Sequence, residues 1–172
     1  IKRYRVVVDD APQQAAPDET RVSPVTENSR YRIEFDLDRG TILRWEDKLL
    51  GKNLVDPAAA WQLGELIYET DDKRGALDRF RPGNYTRRAP GKMRFEGHQQ
   101  GAVYDSYRFV GTSPAGMGDD SLRVEFRIFR RSGEIQLAYR LRKALVTDPE
   151  SVYVSFPFAL SGGEIHFDVP GG

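Results

Sequence analysis

The chain has 172 residues, 39% hydrophobic and 11% aromatic, and its 26 basic and 26 acidic side chains leave a formal net charge of zero. A chain this long folds by default as one domain, hiding about 70% of the surface its unfolded form exposes. The balanced charge excludes disorder driven by self-repulsion and gives no overall field for binding nucleic acid or an anionic membrane. Cysteine is absent, which excludes disulfides, thiolate nucleophiles and cysteine-ligated zinc. No apolar run approaches the roughly 18 residues that span a bilayer, and no charged-then-apolar leader opens the sequence.

In chain order, Lys2 to Val8 reads as a strand at a sheet edge or in a preceding domain, and Asp9 to Pro24, rich in Pro, Gln and Ala, reads as a linker. Residues 1–26 are therefore expected as edge strand and linker, and 27–172 as the main domain. Tyr31, Ile33, Phe35 and Leu37 alternate with Arg32, Glu34 and Asp36, the pattern of a strand with one face buried. Asp38, Arg39 and Gly40 then turn the chain into a second extended segment, Thr41 to Trp45. Asp56 and Pro57 predict the start of a short helix through Trp61, which Gly64 and the β-prone Leu66, Ile67 and Tyr68 convert into a strand. Lys73 to Phe80 predicts a second helical turn, ended by Pro82 and Gly83.

Further on, Lys92 to Gln100 and Val103 to Val110 read as strands joined near Gly101, and Gly111 to Ser121 as a loop. Leu122, Val124, Phe126 and Ile128 form an alternating face, Ser132 and Gly133 turn, and Ile135, Leu137, Tyr139 and Leu141 repeat the pattern. In that hairpin the row of Arg123, Glu125 and Arg127 is expected to pair with Glu134 and Gln136. Val152, Val154, Phe156 and Phe158 make another alternating face, with Pro157 suited to an edge or bulge, and Ile165, Phe167 and Val169 make the last. About nine short antiparallel strands with Gly and Pro between them predict an all-β sandwich with one or two short helices. The chain opens at Ile1 and stops at Gly172, directly after a strand-like segment, and reads as a piece of a larger protein.

The common catalytic motifs are missing: there is no phosphate loop, nucleophile elbow, zincin helix or EF-hand spacing. His98 and His166 are the only histidines, so no dedicated transition-metal site and no cofactor is expected in this chain. His166 and Asp168 share the face opposite Ile165, Phe167 and Val169, a solvated pair or a sugar-contacting one. Asp71 with Asp72, and Asp119 with Asp120, read as turn formers. Arg79, Arg81, Arg87, Arg88, Lys92 and Arg94, interleaved with Phe80, Tyr85 and Phe95, form the densest basic run and read as a solvated loop, with an anionic polymer as the alternative partner. Trp45 and Trp61 suit either a core or stacking on sugar rings. Asn84-Tyr85-Thr86 matches a glycosylation acceptor and is read as a chance occurrence.

Two stretches carry a family resemblance. Glu27-Asn28-Ser29-Arg30-Tyr31-Arg32-Ile33-Glu34-Phe35, Gly40-Thr41-Ile42, and Asp47-Lys48 through Gly51-Lys52-Asn53-Leu54-Val55-Asp56 to Leu66-Ile67-Tyr68-Glu69 form the first, and Asp148 through Phe158 the second. They resemble the C-terminal sandwich of family 38 α-mannosidases, over roughly Glu27 to the end. The resemblance implies a galactose-mutarotase-like supersandwich that packs behind a catalytic α/β barrel lying outside this chain. It places zinc and the aspartate nucleophile in that catalytic region, so no catalytic residue is carried over. It also implies that sandwich loops approach the substrate cleft, and the polar and aromatic stretch Arg79 to Arg88 is the expected contact.

Three functions are consistent with these features. The first is a non-catalytic domain that frames the cleft of an α-mannosidase-like hydrolase and has the parent's catalytic domain as its partner. The second is an independent carbohydrate-binding module. The third is a mutarotase-like epimerase using His98, His166 and Glu164 as acid and base. Trp45, Trp61, Tyr85, Arg87, His166 and Asp168 are the expected carbohydrate contacts.

Overall fold

The computed structural model describes residues 23–72 and 84–160, and the alternating segments there become eleven strands in three antiparallel sheets. The first sheet contains β1 (Val25–Glu27), β2 (Tyr31–Asp36), β3 (Thr41–Asp47) and β4 (Lys52–Asn53), in that order. After β5 (Leu66–Asp71) and β6 (Tyr85–Arg88) come β7 (Arg94–Gln100), β8 (Tyr104–Gly111), β9 (Leu122–Phe129) and β10 (Ile135–Leu141). These last four form the second sheet, ordered β10-β9-β8-β7. β11 (Glu150–Val154) pairs with β5, which pairs with β6, in a third sheet.

The first two sheets make a sandwich because each presents a period-two apolar face. Tyr31, Ile33 and Phe35 of β2 and Ile42 of β3 face Tyr107, Phe109, Leu122, Val124, Phe126 and Ile128 of the second sheet. Phe35 is the centre of that contact: its ring stacks on Tyr107 at 4.3 Å, meets Phe126 edge-on at 5.3 Å and lies 6.2 Å from Phe109. Rings at these separations gain beyond their area burial.

The β2–β3 turn is set by Asp36, whose Oδ1 accepts from the amides of Asp38 and Arg39, each at 3.0 Å. Gly40 closes it at φ 65°, and a Cβ there would meet the Phe109 ring at 3.1 Å. Only glycine satisfies both requirements. Asn28 binds the amides of Arg30 and Tyr31 and donates to the Phe129 carbonyl, tying the β1–β2 turn to the second sheet. β1 begins before residue 27 and pairs with β2, so Val25 and Thr26 belong to the first sheet.

Two local expectations differ from the structure. No helix forms among the described residues. Asp56 accepts from the Ala58 amide at 2.9 Å, but Val55 bridges to Phe158 and Leu63 bridges to Ile42. The segment between those bridges is too short to repay helix nucleation. The stretch Gly111 to Ser121 is irregular, as expected of a loop, and is anchored at Ser113, Ala115 and Ser121, all almost fully enclosed, with the Ser121 hydroxyl accepting from the Ser113 amide. In the β9–β10 hairpin, Arg127 lies opposite Gln136 as expected, whereas Arg123 lies opposite Arg140 and Glu125 opposite Ala138, so neither of those two faces Glu134 or Gln136. Arg123 instead reaches Glu96 on β7, and Arg127 pairs with Glu125 on its own strand. The predicted strands Lys2 to Val8 and Ile165 to Val169 and the helical turn Lys73 to Phe80 lie outside the described residues.

Phe35→Ala should leave a void between the sheets and cost about 3–5 kcal/mol. A shifted midpoint with an unchanged slope in urea unfolding is the expected signature.

Candidate functional site

The third sheet is where two of the expected contacts meet. In its register Glu69 lies between Arg87 of β6 and Ser151 of β11, Asp71 lies opposite Tyr85, and Ile67 lies opposite Tyr153. Alternation therefore puts Glu69, Asp71, Tyr85, Arg87, Ser151 and Tyr153 on one face. Glu69 is 5% exposed and accepts two hydrogen bonds, from Arg87 Nε at 2.5 Å and from Tyr153 Oη at 3.2 Å. Beside it a groove of about 230 Å³ is lined by Glu69, Asp71, Tyr85, Pro149, Glu150 and Ser151. Tyr85 and Tyr153 are each about half exposed, at 49% and 47%. Buried carboxylates can accept hydrogen bonds from hydroxyl groups while open aromatic rings beside them stack on an apolar ring face, the two contacts that suit a sugar.

The opposite face of this sheet is electrostatically closed. Tyr68 is buried beneath Arg88 and Lys143, whose cations lie 5.3 and 6.0 Å from its ring centroid. Its hydroxyl donates to Glu150 at 2.5 Å, and Lys143 Nζ lies 2.5 Å from the same carboxylate. Lys143, then Tyr68, hold the Glu150 carboxyl below its usual range. The hydrogen bond to Glu150, reinforced by burial, pushes the Tyr68 phenol up.

Tyr85 and Arg87 thus come together on β6, while the remainder of the expected loop, Arg79 to Gly83, lies outside the described residues, as do Glu164, His166 and Asp168. Trp45 is elsewhere: half-buried at the sandwich rim, it meets Tyr31 edge-on at 5.3 Å and Phe158 at 6.1 Å, with its indole Nε1 enclosed and without an acceptor. Trp61 is half-buried in the turn that precedes β5. Neither indole lines the groove. Asp71, expected in a turn, instead closes β5 as a buried strand residue, because pairing with Tyr85 extends the ladder to it. Asp72 accepts from the backbone and side-chain amides of Asn84. Asp120 does occupy a turn, at φ 51°, and pairs with Arg94. Within the basic run, Arg87 pairs with Glu69, Arg88 covers Tyr68, and Lys92 pairs with Asp38.

Glu69 and Tyr153 were not singled out in the sequence. Glu69 signals itself only as an acid ending a β-prone run, and its partner Tyr153 is distant in sequence. Apolar exposure is also concentrated nearby. Seven of the thirteen exposed large hydrophobic side chains among the described residues lie between residues 145 and 160. They include Leu145 at 98%, together with Val152 on β11, Phe156 and Leu160. Phe156 and Phe158 stack at 6.2 Å and lie beyond the end of β11, where Pro157 interrupts the ladder but offers its carbonyl to Asp56.

His98 sits on β7 with its ring stacked on Tyr107 at 4.2 Å and its Nε2 enclosed without a partner. Burial lowers its pKa, partly offset by Asp105 and reinforced by Arg130. Among the described residues no three His, Asp or Glu side chains converge as metal ligands, and no helix is long and apolar enough to cross a membrane. The chain matches no protein-family model and no curated protein sequence.

Arg87→Ala should leave Glu69 without its cation. Because Arg87 is 56% exposed, the cost should be about 1–2 kcal/mol, below the 3–5 of a wholly buried pair, measurable by urea unfolding. A lowered folded-state pKa at His98 means that the unfolded chain binds its proton first as pH falls. The stability tied to neutral His98 is therefore complete above the ordinary imidazole value of 6.5 and is lost as pH drops through the folded-state value. His98→Phe, which preserves the stack on Tyr107, should flatten that acid slope in melting curves taken across the range.

Proposed function

We propose that the chain is a non-catalytic β-sandwich domain of a glycoside hydrolase resembling the family 38 α-mannosidases, packing against the parent's catalytic barrel and framing its substrate cleft. The observation that carries this reading is the run of exposed apolar side chains between residues 145 and 160, at the β11 edge of the third sheet. Exposed apolar side chains clustered in sequence beside a strand edge that is unpaired among the described residues are costly to leave in water, and they suit burial against another part of the same polypeptide. The Tyr85, Arg87 and Glu69 face lies on the same sheet, so a neighbour seated along β11 would bring that polar and aromatic groove to the border of a shared cleft. In this reading zinc and the nucleophile belong to the catalytic region, and this domain supplies shape and hydroxyl-accepting groups at its rim.

A second reading is favoured by one observation. Two half-exposed tyrosines flank buried Glu69 and Asp71, an arrangement that suits an independent carbohydrate-binding module.

The test is radical footprinting of Tyr153, Phe156 and Phe158 in this chain alone and in the chain joined to its parent's catalytic region. Labelling in the first and protection in the second are expected, and equal labelling in both would overturn the proposal. A glycan array with mannosides and an aryl α-mannoside assay run alongside separate the readings. The framing domain should neither bind nor turn over alone, and saturable mannoside binding lost in Tyr85→Ala would favour the module.

A further inference from the structure

The outer face of the second sheet, turned away from the sandwich core, carries an unusual charge arrangement. Alternation places Arg108 of β8, Arg123 and Glu125 of β9, and Ala138 and Arg140 of β10 on that face, joined by Glu96 from the bulge in β7. These side chains line a groove of about 240 Å³. Arg123 and Arg140 are direct cross-strand partners, and like charges placed so are destabilising. A carboxylate relieves this only on the Arg123 side. Glu96 is bound through both oxygens by Arg123, at 2.8 and 3.0 Å. Glu125 lies directly across the ladder from Arg108 yet turns to Arg127 at 2.7 Å.

Two guanidinium groups are therefore left over. Among the described residues Arg108 and Arg140 make no ion pair, and Arg108 Nε is enclosed without an acceptor. Gly97 lets the Arg108 guanidinium lie against β7, since a Cβ there would come within 3.3 Å of its Nη2. The short side chain of Ala138, between Gln136 and Arg140 on the same outward row, leaves the floor open. An enclosed guanidinium Nε–H without an acceptor costs desolvation energy until an acceptor reaches it.

We propose that this groove binds a ligand through a carboxylate or phosphate oxyanion held between Arg108 and Arg140, with Arg123 at its edge. The planar forks of arginine match both groups with paired hydrogen bonds. The proposal is independent of the framing role, because the groove lies on a different sheet from β11 and from Tyr85.

The experiment is calorimetric titration of the whole 172-residue chain with inorganic phosphate and, separately, with glucuronate, at low and high salt. Saturable binding of one or both is expected, weakening as salt rises. Binding of phosphate alone identifies a phosphorylated ligand, of glucuronate alone an acidic sugar, and of both a general oxyanion site. Arg140→Gln and Arg108→Gln should each weaken binding about tenfold or more, while Arg44→Gln on the opposite sheet leaves it unchanged. Arg140→Lys, which keeps the charge and loses the fork, should also bind more weakly than the parent chain. Arg140→Gln should keep or raise the melting midpoint, because it removes the opposed like charge; a purely structural arginine would lower it. Absence of saturable binding of both anions, or unchanged affinity in both glutamine variants, overturns the proposal.

Discussion

Phe35 occupies the space where the two four-stranded sheets meet, touching rings from two strands of the opposite sheet, Tyr107 and Phe109 on β8 and Phe126 on β9. Much else follows from keeping that space filled. The β2–β3 turn must be tight enough to return β3 beside β2 while passing over Phe109, which is why Gly40 stands where any side chain would strike the ring. Between Glu34 and Phe35 the ladder skips Leu43 of β3, so that Ile42, not its neighbour Leu43, faces the Phe35 ring. A bulge spends one unpaired residue to re-aim a side chain.

Around this apolar centre the fold buries several carboxylates, each held by backbone amides or a rim cation. Asp47 accepts from the Leu49 and Leu50 amides and lies near Arg30; Glu65 accepts from the Gln62 amide and pairs with Arg39; Glu69 is shared by Arg87 and Tyr153. An isolated buried carboxylate costs several kcal/mol, so each position is specified by its partners as firmly as an apolar site is by its volume. Glu69 differs from the other two in location: it lines a groove itself.

The remaining surfaces are sorted by sheet. The third sheet carries the apolar edge and the tyrosine-flanked carboxylates, and the outer face of the second carries the opposed arginines. Neither arrangement is what stability alone would select. Exposed Phe156 and Leu160 lose the gain that burial would bring, and Arg123 opposite Arg140 repels. Such local departures from the stabilising pattern are where the two proposals above are placed.

The strand pattern was legible in the sequence because alternation is local: Tyr31, Ile33 and Phe35, or Leu122 to Ile128, declare a buried face within a few residues, and the all-β sandwich follows. That Tyr85 and Arg87 share one strand face follows from the same local alternation. The helix expected after Asp56 failed because two long-range bridges, Val55 to Phe158 and Leu63 to Ile42, outweigh a local capping signal. Glu69 beside Tyr153, Arg123 opposite Arg140 and the withdrawal of Trp45 into the rim depend on strand register and sheet order. Those are decided by how faces far apart in sequence pack together, a choice that no window of neighbouring residues encodes.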